Sequence, residues 1–260
     1  MTTVQEPTRE LQRLATRIHF GLGRYLAARG NGALNSRWEA PRHGWTLSNL
    51  ALRHAEATLA LAKTDMVLAS SAWVTARAAV EATGRCLWLL EPDDEWEREA
   101  RWLVFLEEGA RLGGRPEMKD CPQVIAQSES IEDFRRAVFD KLPEGASAPK
   151  RIESITTILA ANDERLASFY VTASQHTHAA ELATRTSRAN LGVDATYGES
   201  VGAEDWLHPL TMSYVSFRAT ATRLIQLHAG EPPEILSIAD RQIEEACDEF
   251  LAAVLTQDKA

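Results

Sequence analysis

Apolar residues in this chain return every three to four positions, and no β-branched run alternates with polar residues between turn dipeptides. That periodicity restricts the chain to packed helices. From Pro7 to Arg29 the stripe is Leu11, Leu14, Ile18, Leu22 and Tyr25, while Arg9, Arg13 and Arg17 fall on another face and should meet water. Gly30, Gly32, Pro41 and Gly44 predict a long irregular link, pinned by Trp38 and Trp45. Thr46 or Ser48 is then expected to cap a helix running through Leu47, Leu50, His54, Thr58, Leu61, Asp65 and Leu68. Another follows from the Ser70–Ser71 junction to Leu90, and the two read as neighbours or as one long bent helix.

Pro92 stops that run, and Asp93, Asp94 and Glu95 favour a new helix start by capping and by the helix dipole. Trp96, Ala100, Leu103, Leu106 and Ala110 should form its inner face, ended by Gly113, Gly114 and Pro116. Cys121 to Leu142 reads as one or two short helices, and residues 143–149 (PEGASAP) as a linker. A long helix is expected from Lys150 to about Ser187, with the stripe Ile152, Ile155, Leu159, Leu166, Phe169, Ala173, His176 and Ala180. Residues 190–205 break the pattern, and helices over Trp206–His228 and Pro233–Leu255 complete the chain. The expectation is an all-α, multi-helix bundle of about six to eight helices. It should form a single domain over residues 1–260, with a possible subdivision near 143–149.

With 45% hydrophobic and 25% charged residues, the 260-residue chain has an ordinary globular composition. No apolar run approaches the roughly 18 to 20 residues that span a membrane, and the first residues carry no basic-then-apolar signal. Cys86, Cys121 and Cys247 are odd in number and far apart, so neither a disulfide scaffold nor a cysteine zinc site is expected, and a reducing cytoplasm fits. The net charge of −9 is uneven. Residues 231–260 hold eight acidic and two basic side chains, whereas residues 1–53 hold three acidic side chains and eight arginines. The basic part should dock on the acidic part of its own chain or of a second copy, or else meet RNA.

Polar groups inside the apolar pattern are the candidate site. Arg77, Glu81 and Arg85 are successive i,i+4 neighbours, either an exposed ladder or a cleft-lining network, and Arg98 and Arg101 could bring more positive charge to the same cleft. Tyr170, Ser174 and His178 follow at the same spacing, with Glu181 and Arg185 beyond. A serine inside a regular helix has no free backbone N–H groups for an oxyanion hole, and no GxSxG elbow is present, so serine hydrolysis is not expected. His176 and His178 diverge by about 200° on a helix and are poorly placed to share a metal. His54, Glu81 and His178 would have to converge from three helices to do so; ExxH and HExxH are absent, and neither metal nor cofactor is expected. His54 reads as a satisfied core histidine. Trp73, Trp88 and Trp102 read as core or as the lining of an apolar ligand pocket.

The run Arg77-x3-Glu81-x3-Arg85, the segment WLLEPD, the segment from Glu97 to Phe105 and the Tyr170-x3-Ser174-x3-His178 helix resemble a group of bacterial all-helical proteins. In outline these are similar to the HEPN-like superfamily (higher eukaryotes and prokaryotes nucleotide-binding). The resemblance covers roughly residues 48–188. It implies a dimeric protein of defence or stress response, and, where members are toxins, metal-independent RNA cleavage by an arginine and a histidine four to six residues apart. The histidine would move a proton while the arginine stabilises phosphate charge. The catalytic candidates are then His178 and His176 with Arg77, Glu81 and Arg85.

Three such spacings occur, Arg13/His19, Arg37/His43 and Arg223/His228, a number close to chance for 23 arginines and 7 histidines. Arg165 precedes His176 by eleven residues, outside the pattern. The leading expectation is therefore a non-enzymatic binding or regulatory protein that self-associates or meets a partner protein. Its binding residues would be Arg77, Glu81, Arg85, Arg101, Tyr170, Ser174 and His178. The alternative is an HEPN-like ribonuclease.

Overall fold

The computed structural model describes residues 4–111, 113–143, 149–184, 188–189, 196–197 and 201–257. Among them ten α-helices appear: α1 Arg9–Arg29, α2 Glu39–Ala62, α3 Ala69–Leu90, α4 Glu95–Ala110, α5 Pro122–Phe139, α6 Ile155–Asn162, α7 Glu164–Thr177, α8 Glu181–Thr184, α9 Leu207–Ala229 and α10 Glu234–Gln257. The protein is an all-α multi-helix bundle. Among the described residues one two-residue antiparallel pairing, Arg188 to Tyr197 and Ala189 to Thr196, is the extended element. Most of residues 143–149, Arg185 and most of residues 190–200 lie outside the described part.

Three helices form the centre. α2 and α3 run antiparallel: Thr58 bonds Thr75 near the turn, and Gly44 meets Leu90 at the far end. α9 packs on both. Its Ser213 donates to Thr58, and Thr83 donates to the Ser216 carbonyl. Small residues allow this closeness. Ala51, Ala55, Ala62, Ala69, Ala72, Ala76 and Ala79 are fully buried. A Cβ on Gly44 would stand only 2.7 Å from a Leu90 methyl. α1 covers one side of α9 and α10 covers α1 in turn, α6 and α7 cover α3, and the α4–α5 pair closes one end beside α2. Fully buried Leu11, Leu14, Ile18, Trp206, Leu210 and Phe217 belong to the main apolar cluster.

Several helix limits follow the sequence. Thr8 caps α1 by accepting the Leu11 N–H, and Asp94 caps α4 by accepting the Glu97 N–H. Others require correction. α2 begins at Glu39, with Trp38 as its N-cap, so Pro41 and Gly44 lie inside a helix rather than a link. Pro41 is tolerated because first-turn N–H groups have no helical partner. Thr46 and Ser48 are therefore interior, and Leu50 is 46% exposed: the buried face is Leu47, Ser48, Ala51, Leu52, Ala55, Thr58 and Leu59.

α2 and α3 are separate helices, and Asp65 is not on either. It caps a 3-10 turn at Met66–Leu68 and accepts the N–H groups of Val67 and Gln5. The expected long helix from Lys150 is broken. Asp163, extended at φ −158°, ends α6 and caps α7, which itself stops at Thr177. Cys121 to Leu142 holds one helix, α5. Trp96 is not an inner-face residue; it is 40% exposed and packs edge-on against Trp38.

Candidate functional site

The predicted Arg–Glu–Arg line of α3 meets the first two members of the predicted Tyr–Ser–His line, which face it from α7. Arg77 donates from Nε to Ser174 Oγ at 3.0 Å and from a terminal nitrogen to Tyr170 Oη at 2.7 Å. Its guanidinium also stands 4.4 Å from the Tyr170 ring centroid. Ser174 spends its own proton on the Tyr170 carbonyl at 2.7 Å. Glu81 lies 3.5 Å from Arg77 and 3.7 Å from Arg85. Arg85 forks onto Glu108 of α4.

Side-chain exposures of 18% for Arg77, 32% for Glu81 and 27% for Arg85 make this a half-buried network, neither a solvated ladder nor a sealed core. Burial, with the Glu81 carboxylate beside it, holds the Tyr170 phenol above its usual range. Hydrogen bonding to Glu108 outweighs burial and raises Arg85 further. Two guanidinium groups face two carboxylates, so the cluster is charge-balanced. Chemically it clamps α3 to α7 and α4, and its Ser174 hydroxyl is committed to a backbone acceptor.

The histidines stand apart from it. The His176 ring stacks on Trp73 with centroids 4.9 Å apart and planes within 5°. Trp73 also stacks on Phe169, 5.0 Å away and within 12°. His208 flanks Trp73 at 6.1 Å. Burial pushes the His176 imidazole below its usual range, only partly opposed by Asp205. His178 is exposed at the end of α7, where its backbone N–H bonds the Ser174 carbonyl. The structure thus brings Arg77, Glu81, Arg85, Tyr170 and Ser174 together and leaves His178 outside. His54 is half-buried on α2, and burial lowers its imidazole too. His54, Glu81 and His178 do not converge: among the described residues no three His, Cys, Asp or Glu side chains gather as a metal site.

Arg98 and Arg101 do not add charge to this cluster, correcting that expectation. Arg101 donates to the Trp88 carbonyl at 2.6 Å and to Glu91 at 2.7 Å, and Arg98 donates to the carbonyls of Pro92 and Asp93. Arg223 from α9 reaches the Leu90 and Glu91 carbonyls. Two guanidinium groups, of Arg101 and Arg223, therefore cap the last carbonyls of α3, which lack helical partners and sit at the negative end of the helix dipole, while Arg98 holds the link from α3 to α4. Trp88 and Trp102 are core residues of the same end.

Sequence reasoning missed two other polar groupings. Tyr25 and Tyr214 both donate to Asp240, with Arg218 3.6 Å away, joining α1, α9 and α10. Burial and the Asp240 carboxylate push both phenols well up. Arg29, 7% exposed, bonds Ser48 and Asn49 between the faces of Trp45 and Phe217, and burial lowers it to about 10. The signal for the first was Asp240, four residues beyond Leu236 on an otherwise apolar stripe. For Arg29 the register of α1, seven residues past Leu22, was the signal.

A groove of about 680 Å³ lies elsewhere, between α1 and α10. Arg9, Arg13, Arg17 and Phe20 form one wall, and Ala246, Glu249, Phe250 and Ala253 the other. The arginines do not anchor α1 to the acidic helix; Leu11, Leu14, Ile18, Ile243 and Phe250 do, within one apolar cluster. Among the described residues no ion pair involves Arg9, Arg13 or Arg17.

No family model matches the chain, no curated protein matches its sequence, and no solved structure matches its fold. Among the described residues no helix is long and apolar enough to cross a membrane.

Proposed function

We propose that this is a non-enzymatic helical binding or regulatory protein that works through contact with a second copy or a partner protein. The observation that carries the reading is the internal use of the candidate chemical groups. Arg77, Glu81, Arg85, Tyr170 and Ser174 are occupied with one another and with Glu108, while arginines without an ionic partner line the groove between α1 and α10. Binding energy at a surface comes from such arginines and from aromatic anchors, here Phe20. The similarity to HEPN-like proteins suggests defence or stress response in a bacterium as the setting. Three free thiols among the described residues fit a cytoplasmic location.

The second reading is an HEPN-like, metal-independent ribonuclease, favoured by the exposed imidazole of His178 and by RNA's complementarity to the arginine-lined groove. One assay separates the two. A mixed pool of structured and single-stranded RNA is incubated with EDTA and excess wild-type protein, beside a His176→Ala/His178→Ala variant. Intact RNA is the expected result. Cutting by the wild type that is lost in the double variant would overturn the binding reading and assign the chemistry to α7.

A further inference from the structure

We infer that the α1–α10 face is the interface of a two-fold symmetric homodimer, in which the arginine row of α1 in each copy lies on the acidic ridge of α10 in the other. This rests on the binding reading above and commits it to one occupant of the groove. α1 and α10 lie side by side and antiparallel, because Tyr25 meets Asp240 and Gly21 meets Ile243. On the outward surface of α1 stand Arg9, Arg13, Arg17 and a Phe20 that is 65% exposed. On the outward surface of α10 stand Glu245, Asp248 and Glu249, with Leu255 60% exposed at the end. Glu10 on α1 and Arg241 on α10 are the exceptions, but each helix shows mainly one sign of charge with an apolar knob, and the two signs are adjacent.

Such a surface complements itself. A two-fold axis parallel to the two helices lays α1 of one copy over α10 of the other and repeats the contact in reverse. That operation leaves height along the helices unchanged, so the intrachain register fixes the interchain one. Continuing the pairing of Tyr25 with Asp240 and Gly21 with Ile243 at equal rise brings Arg17 to the level of Cys247 and Arg13 to that of Leu251. Arg13 and Arg17 then face the second copy's Glu245, Asp248 and Glu249. The arrangement supplies the carboxylates that these arginines lack within their own chain, and it covers Phe20. A single acidic partner helix would neutralise the arginines and leave the acidic ridge of α10 uncovered; a second copy answers both at once.

The test uses the full chain, with mass measured by light scattering or sedimentation over a concentration series. Wild type should dimerise, more weakly at high salt. Arg13→Glu/Arg17→Glu and Glu245→Arg/Asp248→Arg should each weaken the dimer by about tenfold or more while keeping the wild-type helical circular dichroism. An equimolar mixture of the two variants should regain dimers, because both contacts of the mixed pair are again complementary. A wild type that stays monomeric, a dimer indifferent to both reversals, or a mixture of the two variants that stays monomeric overturns the inference. So does a monomer that binds single-stranded RNA and loses it on Arg13→Glu/Arg17→Glu, which would assign the groove to nucleic acid. The RNA-cleavage assay is read independently, so failure of the dimer and failure of the binding reading give different results.

Discussion

Arg77 shows how a charged residue is held inside a helical bundle: by several moderate contacts rather than one ion pair. Its bonds to Tyr170 and Ser174 are shorter than its 3.5 Å approach to Glu81. Replacing it with leucine removes two charge-assisted bonds and leaves Glu81 and Tyr170 underpaired, so denaturant unfolding should show a loss of about 2 kcal/mol. A stability unchanged within a few tenths would mean that water replaces the guanidinium at no cost.

His176 carries a pH prediction. Burial lowers its folded pKa below the ordinary 6.5, so the folded chain binds its proton less readily than the unfolded one. The stability gained from a neutral ring is fully present above the unfolded value and is lost as pH falls through the lower folded value. Phenylalanine at this position keeps a flat ring on Trp73 but cannot titrate. Thermal melts from about pH 7 to pH 5 should therefore fall more steeply for wild type than for His176→Phe. Parallel curves would remove His176 from the account.

At the scale of the element, the breaks between helices are the informative features. α4 begins where Pro92 and Asp94 announce it, because a proline stop and a capping carboxylate act within a few residues. Asp163 has the same capping chemistry, but in sequence it sits inside a continuous apolar stripe and reads as one polar position of a longer helix. Its side chain accepts the Arg165 N–H at 2.9 Å, and its backbone N–H closes α6 onto Leu159. Asp163→Ala should cost about 1 kcal/mol in urea unfolding, as the loss of an N-cap does. No loss would show that packing of α6 and α7 on α3 sets the break without the cap. Gly84 marks where α6 meets α3: a Cβ there would stand 2.6 Å from the Ile155 methyl and 3.1 Å from Leu159. Gly84→Leu overfills that contact and should destabilise by about 2 kcal/mol, read from the same transition.

For the whole molecule, α10 acts as the cover of α1. Phe250, 2% exposed, belongs with Leu11, Leu14 and Ile18 to the main apolar cluster. Phe250→Ala should cost about 3 kcal/mol. A chain ending at Pro233 should expose the α1 stripe and bind an apolar dye under conditions where the full chain does not. Equal dye binding by both would mean that α1 is held by α2 and α9 alone.

Local patterning was enough for the all-helical class, the burial of the α1 stripe, the start of α4 and the two i,i+4 polar lines that begin at Arg77 and at Tyr170, because spacing and capping are local properties of the chain. The meeting of those lines, and the rest, came from packing between helices. It moved Pro41 and Gly44 into α2, where Leu90 packs against a glycine that looked like a breaker. Packing turned Arg101 and Arg223 toward the carbonyl end of α3 and Arg98 onto the link that follows it, and it set His176 against Trp73 while leaving His178 in solvent. Periodicity tells which face of a helix is apolar; it does not say which helix lies against that face, and a polar side chain takes its role from that neighbour.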